Sequence, residues 1–226
     1  MKVLSLAFPG FTFIDLAGPL QAFSMLEGFE SQIVWKATGE VASDAGVSVN
    51  ASQTFETAWS DPDILFIPGN TKALFSLLSD DETLRFVADR GARAKWVTSA
   101  CNGSLLLGAA GLLDGYKAAS YWYTHDSLAQ LGAIPTSERV VIDRNRVTGG
   151  GMTAGIDFGL TLLGLIDGEQ KGKLGELLFE YAPEPPFACG RPELADEQTV
   201  AIARQILATL MPLEAIPTPG RRNRIG

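Results

Sequence analysis

Cysteine and histidine are scarce: two of the one and one of the other among 226 residues. Cys101 and Cys189 stand far apart in unlike contexts, so no disulfide framework is expected. With His125 as the lone imidazole, no Cys/His cluster has metal-ligand spacing, and no metal is expected. The same cysteine usage fits a reducing, cytoplasmic setting. Positive charge is also scarce: 18 Lys and Arg stand against 26 Asp and Glu, a net charge of −8. Nucleic acid is therefore not an expected partner. No apolar run reaches membrane-spanning length without a charge or glycine, so no membrane partner is expected. Residues 2–8 form a strand-like run at once, too short for a signal h-region and without a cleavage site. Gly149-Gly150-Gly151 lacks the spacing of a dinucleotide fingerprint and has no P-loop lysine. Close backbone packing beside a site is the better reading of it, and no organic cofactor is expected.

What is present is globular. Hydrophobic residues make up 46% and charged residues 19%. A single domain over 1–226 is the simplest organisation, with 212–226 as a tail whose Arg221, Arg222 and Arg224 are solvated. Continuous apolar runs predict buried strands over 2–8, 31–37, 63–67 and 95–99, and a short alternating strand over 47–51. Helical patterns fall between them: 15–26 with Pro19 in its first turn, 72–78, 81–91 and 103–113. Further on come a short strand at 117–120, a helix over 122–131 and a hairpin over 139–148 that turns at Asp143-Arg144-Asn145. Helices over 153–165, 169–181 and 196–211 complete the chain. Buried strands alternating with helices imply a doubly wound α/β sandwich with a mostly parallel sheet. In such sheets function collects beyond the carboxyl ends of the strands, here the loops 9–15, 68–71 and 101–104.

The unusual residues lie on those loops. Cys101 ends a strand and is followed by Asn102-Gly103-Ser104 and a helix. That corner suits a nucleophile: helix N–H groups point toward the sulfur, and the dipole is expected to favour thiolate. A small buried residue at a turn would look the same. Asp15 sits among Phe13, Ile14 and Leu16, where burial would raise its pKa and suit it to proton transfer. It could equally cap the helix that follows. The N–H groups of the turn at Gly69 and Asn70, with that of Asn102, could converge as an oxyanion hole; a plain tight turn is the alternative. Tyr121, Trp122 and Met152 are expected to wall a substrate pocket. His125 reads as structural, and Cys189 as inert.

Four motifs carry a resemblance: Asp15-Leu16-Ala17-Gly18-Pro19, Ile67-Pro68-Gly69, the stretch Thr98-Ser99-Ala100-Cys101-Asn102-Gly103-Ser104, and Thr148-Gly149-Gly150-Gly151-Met152-Thr153-Ala154-Gly155-Ile156-Asp157-Phe158. They are similar to the PfpI/DJ-type superfamily, and among its branches to the isonitrile-hydrating one. The likeness runs from Val3 to about Gly190. It implies a flavodoxin-like fold, a homodimer and no cofactor. It also implies that Cys101 is the nucleophile at an elbow and that Asp15 is its acid/base partner. Isonitriles would be hydrated to N-substituted formamides through a covalent thioimidate. Three positions depart from the branch. Asn102 stands where a threonine hydroxyl would bond the carboxylate, so an amide on a longer arm takes that catalytic place. Tyr121 stands where a histidine occurs, which weakens a Cys–His amidase or protease reading. Met152 replaces an isoleucine-like residue. The competing expectations are a relative acting on a glyoxal-type carbonyl and a redox sensor oxidised at Cys101. A regulator's ligand domain is set aside, because no helix-turn-helix pattern follows Met211.

Overall fold

The computed structural model describes residues 1–217. Its strands are where Val, Ile, Leu and Phe run together. In chain order, β1 (Lys2–Leu6) leads to α1 (Phe13–Phe23), then to β2 (Glu30–Val34) and a hairpin of β3 (Gly39–Ala42) and β4 (Ser48–Ala51). There follow β5 (Ile64–Ile67), α2 (Ala73–Leu77), α3 (Asp81–Arg93), β6 (Trp96–Ser99) and α4 (Gly103–Ala109). Next are β7 (Lys117–Ala118), a 3-10 helix (His125–Leu131), β8 (Ile134–Pro135), β9 (Val140–Asp143) and β10 (Arg146–Gly149). Helices α5 (Ala154–Asp167), α6 (Glu169–Leu178) and α7 (Glu197–Leu210) follow, with a last 3-10 turn at Leu213–Ala215.

Six strands form the central sheet in the order β2-β1-β5-β6-β10-β9. Every neighbour is parallel except the β9–β10 hairpin, which supplies an antiparallel edge. The sheet is thus mostly parallel, as the sequence predicts. Buried on both faces, β5 has no exposed residue. Its Phe66 meets Phe23 of α1 edge-on at 5.8 Å and Phe158 of α5 at 5.7 Å. Those two helices pack closely because their contact is made of small residues. A Cβ on Gly159 would come within 2.7 Å of the Ala22 Cβ. No helix among the described residues is long and apolar enough to cross a membrane.

Several expected elements are corrected. Helix α1 begins two residues before Asp15, so Pro19 lies in its interior. Its ring packs against α5, 3.1 Å from where a Cβ on Gly155 would stand. The expected helix 122–131 is a 3-10 helix that begins only at His125. Thr124 closes the turn before it, bonding the Ser120 hydroxyl at 3.0 Å and donating to the Tyr121 carbonyl at 3.1 Å. Helix 103–113 stops at Ala109, ahead of Gly111 at φ 78°. The expected tail is partly packed: Ile216 is buried and Leu213 lies against the core. Residues 218–226, with the three tail arginines, lie outside the described residues.

The α1–α5 contact yields a prediction. Gly159→Ala should lower unfolding free energy by about 1–3 kcal/mol, since overpacked helices must move apart. Urea denaturation of the two proteins measures it; an unchanged midpoint would refute the close contact.

Candidate active site

Cys101 joins β6 to α4 with φ 55°, in the left-handed region that few side chains enter. Such a residue costs on the order of 1–3 kcal/mol and persists only where its surroundings hold it. Two glycines let those surroundings close in. A Cβ on Gly69 would lie 2.5 Å from Asn102 Oδ1 and 2.8 Å from both Asp15 Oδ2 and the Cys101 Cβ. A Cβ on Gly103 would collide with the carbonyl oxygen of Ile67.

The loop after β5 is locked to the elbow by paired amides. The Asn70 N–H donates to Asn102 Oδ1 at 2.9 Å, and Asn102 Nδ2 donates back to the Asn70 carbonyl at 2.8 Å. The Asn70 side chain accepts from the N–H groups of Lys72 at 2.7 Å and Ala73 at 2.6 Å, and donates to the Gly10 carbonyl. One site therefore ties three loops together.

These bonds overturn part of the expected oxyanion hole. The Asn70 N–H is taken up by the Asn102 amide. The Gly69 N–H is taken up by Asp15 Oδ2 at 3.1 Å. Of the three expected donors, only the Asn102 N–H is directed at the Cys101 sulfur. The Asn102 side chain does not bond the carboxylate either; it braces the Asn70 loop.

Asp15 is fully buried in the first turn of α1. It does not cap the helix. That place is filled by Asp44 from the β3–β4 turn, which accepts from the Phe13 N–H at 3.2 Å and the Thr12 hydroxyl at 2.6 Å. Asp15 Oδ1 has no hydrogen-bond partner among the described residues. Burial pushes the Asp15 carboxyl up to about 7, which the Gly69 N–H and the Cys101 thiol only partly offset. The negative charge of Asp44 adds to the rise. Near neutrality this acid is divided between its two forms, as a group that both gives and takes protons must be.

Cys101 behaves contrary to the sequence expectation. Burial, and next the facing Asp15, push its thiol well up, and the Asn102 N–H opposes them only in part.

Tyr121, Trp122 and Met152 do come together, on a cleft of about 870 Å³. The Tyr121 ring passes 3.6 Å from the Cβ position of Gly151, so the glycine run gives it room. Burial raises the Tyr121 hydroxyl, the Trp122 indole partly offsets this, and the Cys101 sulfur adds to it. Cys101 and Asp15 are not among the residues that line this cleft; Tyr121 lines it and also feels the Cys101 sulfur. His125 lines the cleft too, but its ring is engaged with Asp126 at 3.0 Å and Ser137 at 3.5 Å. Cys189 is exposed. Among the described residues no three His, Cys, Asp or Glu side chains are grouped to hold a metal ion. Asp44 escaped the sequence reading because only the β3–β4 hairpin brings it back to the site.

A mostly parallel, doubly wound sheet with a strained cysteine at a strand-to-helix elbow, facing a buried carboxyl, defines an α/β protein of the flavodoxin-like class. Residues 1–165 match the DJ-1/PfpI family, and the chain belongs to it. It is 42% identical over 213 residues to an isonitrile hydratase of Pseudomonas putida, covering 94% of this chain and 92% of that protein. A crystal structure of a THiJ/PfpI family protein from Pseudomonas syringae matches with TM-score 0.91 at 45% identity, covering 95% and 88% of the two chains. DJ-1 of Schizosaccharomyces pombe shares the fold, with TM-score 0.67 at 21% identity over 82% of this chain and 100% of that one.

Asp15 gives a pH-dependent test. Its folded pKa of about 7 lies above the ordinary 3.8, so the unfolded chain ionises first. Its favourable contribution is complete below pH 3.8 and is lost as pH rises through 7. Asp15→Asn removes that loss, so its stability relative to wild type should rise by on the order of 3 kcal/mol from pH 4 to pH 7. Denaturant unfolding at both pH values measures the difference. A constant difference would show that Asp15 is not held neutral.

Proposed function

We propose that this protein hydrates isonitriles to N-substituted formamides. Cys101 is the nucleophile and Asp15 the proton carrier. The observation that carries this reading is the buried Asp15 carboxyl with a free Oδ1 beside the elbow cysteine. The Pseudomonas putida relative, named an isonitrile hydratase, supports the substrate class.

An isonitrile carbon accepts a nucleophile and a proton at the same atom. The Cys101 sulfur bonds that carbon while its own proton passes to Asp15, and a carboxyl proton arrives on the carbon. The S–H bond is exchanged for C–S and C–H bonds, giving the thioimidate. Water then adds to the carbon, losing one proton to Asp15 while the nitrogen gains one. Collapse of this adduct breaks the C–S bond, returns the proton to sulfur and releases the formamide. No step develops a full charge on an oxygen that needs two backbone donors. The occupied N–H groups of Gly69 and Asn70 are compatible with this path. The high thiol pKa is compatible too, because proton and sulfur move together. It counts against redox sensing, which draws on an exposed, low-pKa thiolate.

The cleft at Tyr121, Trp122 and Met152 is the substrate's place. A cytoplasmic setting suits the free thiol of Cys101. The working form is a homodimer, supported by Leu177 and Leu178 at the end of α6, 77% and 65% exposed, and by Phe187 in the loop that follows, 83% exposed. Large apolar side chains exposed side by side, as Leu177 and Leu178 are in sequence, are suited to an interface.

Formamide release from an aryl isonitrile, followed in the ultraviolet, tests the activity. Wild type should turn over, Cys101→Ala should not, and Asp15→Asn should fall by roughly 10²–10⁴-fold. Turnover that survives Cys101→Ala would end this reading. Light scattering should give twice the 24.1 kDa chain mass. Leu177→Asp combined with Phe187→Asp should lower it toward one chain; a wild-type monomer would refute the dimer.

A further inference from the structure

Helix α1 carries Asp15 in its first turn, yet Thr12, the residue before the helix, makes no side-chain cap bond to it. The cap comes from another segment. The hairpin of β3 and β4 is a two-stranded sheet of its own, and the Ser43 N–H closes its turn on the Val47 carbonyl at 2.9 Å. That turn is tied to residues 10–13 in both directions. The Gly10 N–H donates to the Ala42 carbonyl at 2.7 Å, and the Asp44 N–H donates to the Phe11 carbonyl at 3.0 Å. In return the Asp44 carboxylate takes the Thr12 hydroxyl and the Phe13 N–H.

These bonds continue to the reacting carboxyl. Thr12 is buried, and while its hydroxyl donates to Asp44 its N–H donates to the Gly69 carbonyl at 2.9 Å. The N–H of the same Gly69 donates to Asp15 Oδ2. A chain of hydrogen bonds thus runs from Asp44 through Thr12 and Gly69 to Asp15. Only the Gly69 N–H and the Cys101 thiol bond the Asp15 carboxyl, and Oδ1 has no partner among the described residues. A carboxyl with so few partners is oriented only as well as those partners are held. The titratable groups that bear on it are Cys101 on the elbow and Asp44 on the hairpin. Loop 68–70 brings backbone and the Asn70 amide to it. Helix α5, packed on α1, places Gly155 and Ile156 against that helix, and its Asp157 is engaged by Arg139 and Tyr181.

We propose that Asp44 is a positioning residue for isonitrile hydration, holding the Asp15 carboxyl against Cys101 through Thr12 and Gly69. Its place in catalysis rests on the hydratase reading; its hold on Asp15 does not. With the hold intact, one carboxyl oxygen is fixed by the Gly69 N–H and the other is left to pass the proton.

Steady-state hydration of an aryl isonitrile by the full chain carrying Asp44→Ala or Asp44→Asn tests the role. Both variants lack the charge that raises Asp15, so a difference between them reads hydrogen bonding alone. In Asp44→Asn the amide oxygen can still accept from the Phe13 N–H, and its Nδ2 can donate to the Thr12 hydroxyl. In Asp44→Ala, kcat should fall roughly 10–100-fold with KM changed by less than about threefold, and Asp44→Asn should recover most of the loss. Equal kcat in the two variants, or a loss confined to KM, would overturn the role. A second readout needs no turnover. The Gly69 amide proton bonds Asp15, so its NMR shift should follow the ionisation of that carboxyl near pH 7 in wild type. In Asp44→Ala this response should shrink to roughly half or less. Thr12→Val removes the hydroxyl alone; it should shrink the response in the same way, and it decides the matter if Asp44→Ala does not fold. A full response in the folded variants refutes the hold even where isonitriles are hydrated. A response lost in them while wild type hydrates no isonitrile keeps the hold and rejects the hydratase reading instead.

Discussion

The backbone at Cys101 stands in a conformation that a cysteine does not choose, and the rest of the site is arranged around keeping it there. The left-handed turn aims the sulfur at Asp15 rather than along the sheet. It holds because loop 68–70 presses on it, and the loop can press because Gly69 and Gly103 carry no side chain at the closest approaches. The reciprocal amide bonds between Asn70 and Asn102 then remove any gain from relaxing. Each net hydrogen bond contributes roughly 0.5–1.5 kcal/mol, so the pair is commensurate with the strain it holds. Asn102 is thus a positioning residue. A side chain that could have reached the carboxylate is committed to the neighbouring loop.

The electrostatics follow from the same closure. Pressing three loops together leaves the carboxyl and the thiol without water. A helix terminus favours an anion by about 0.3–1 kcal/mol near a surface, whereas burying an unpaired charge costs several. Burial wins at both groups, and both titrate upward. Proximity then couples them, because ionising either discourages the other. Burial thus holds both groups toward their neutral forms, against the pull of the helix terminus on the sulfur. A neutral electrophile that needs a proton and a sulfur at one carbon fits this pair better than an oxidant does.

Much of this arrangement was legible in the sequence, and the illegible part has one cause. The buried strands announced themselves as apolar runs, and their alternation with helices gave the parallel sheet and its functional edge. Cys101, Asp15 and the aromatic pair Tyr121-Trp122 stand out in the sequence because each carries its signal within a few neighbours. Asp44 does not, because its role exists only when the β3–β4 turn folds back onto α1. The fate of the Gly69 and Asn70 N–H groups was likewise invisible. Counting donors on a loop does not reveal acceptors 54 and 32 residues away. The 3-10 helix was misread because hydroxyl bonds from Thr124, not periodicity, set where it starts.

The division between the elbow and the outer segment of the cleft bears on how such a site can vary. The elbow, the carboxyl and the amide lock form one strained unit, in which a change at any member disturbs the others. Substitution there is costly because the contacts are close and buried. The outer segment, residues 190–194 and Arg204 of α7, is joined to that unit mainly through the Tyr181–Asp157 bond and the stack of Arg204 on Trp122. Its side chains face a cleft, so their identity can change without reopening the elbow. The two parts thereby rest on separate supports: the strained, buried unit holds Cys101 against Asp15, and the looser outer segment closes the cleft beside Tyr121 and Trp122.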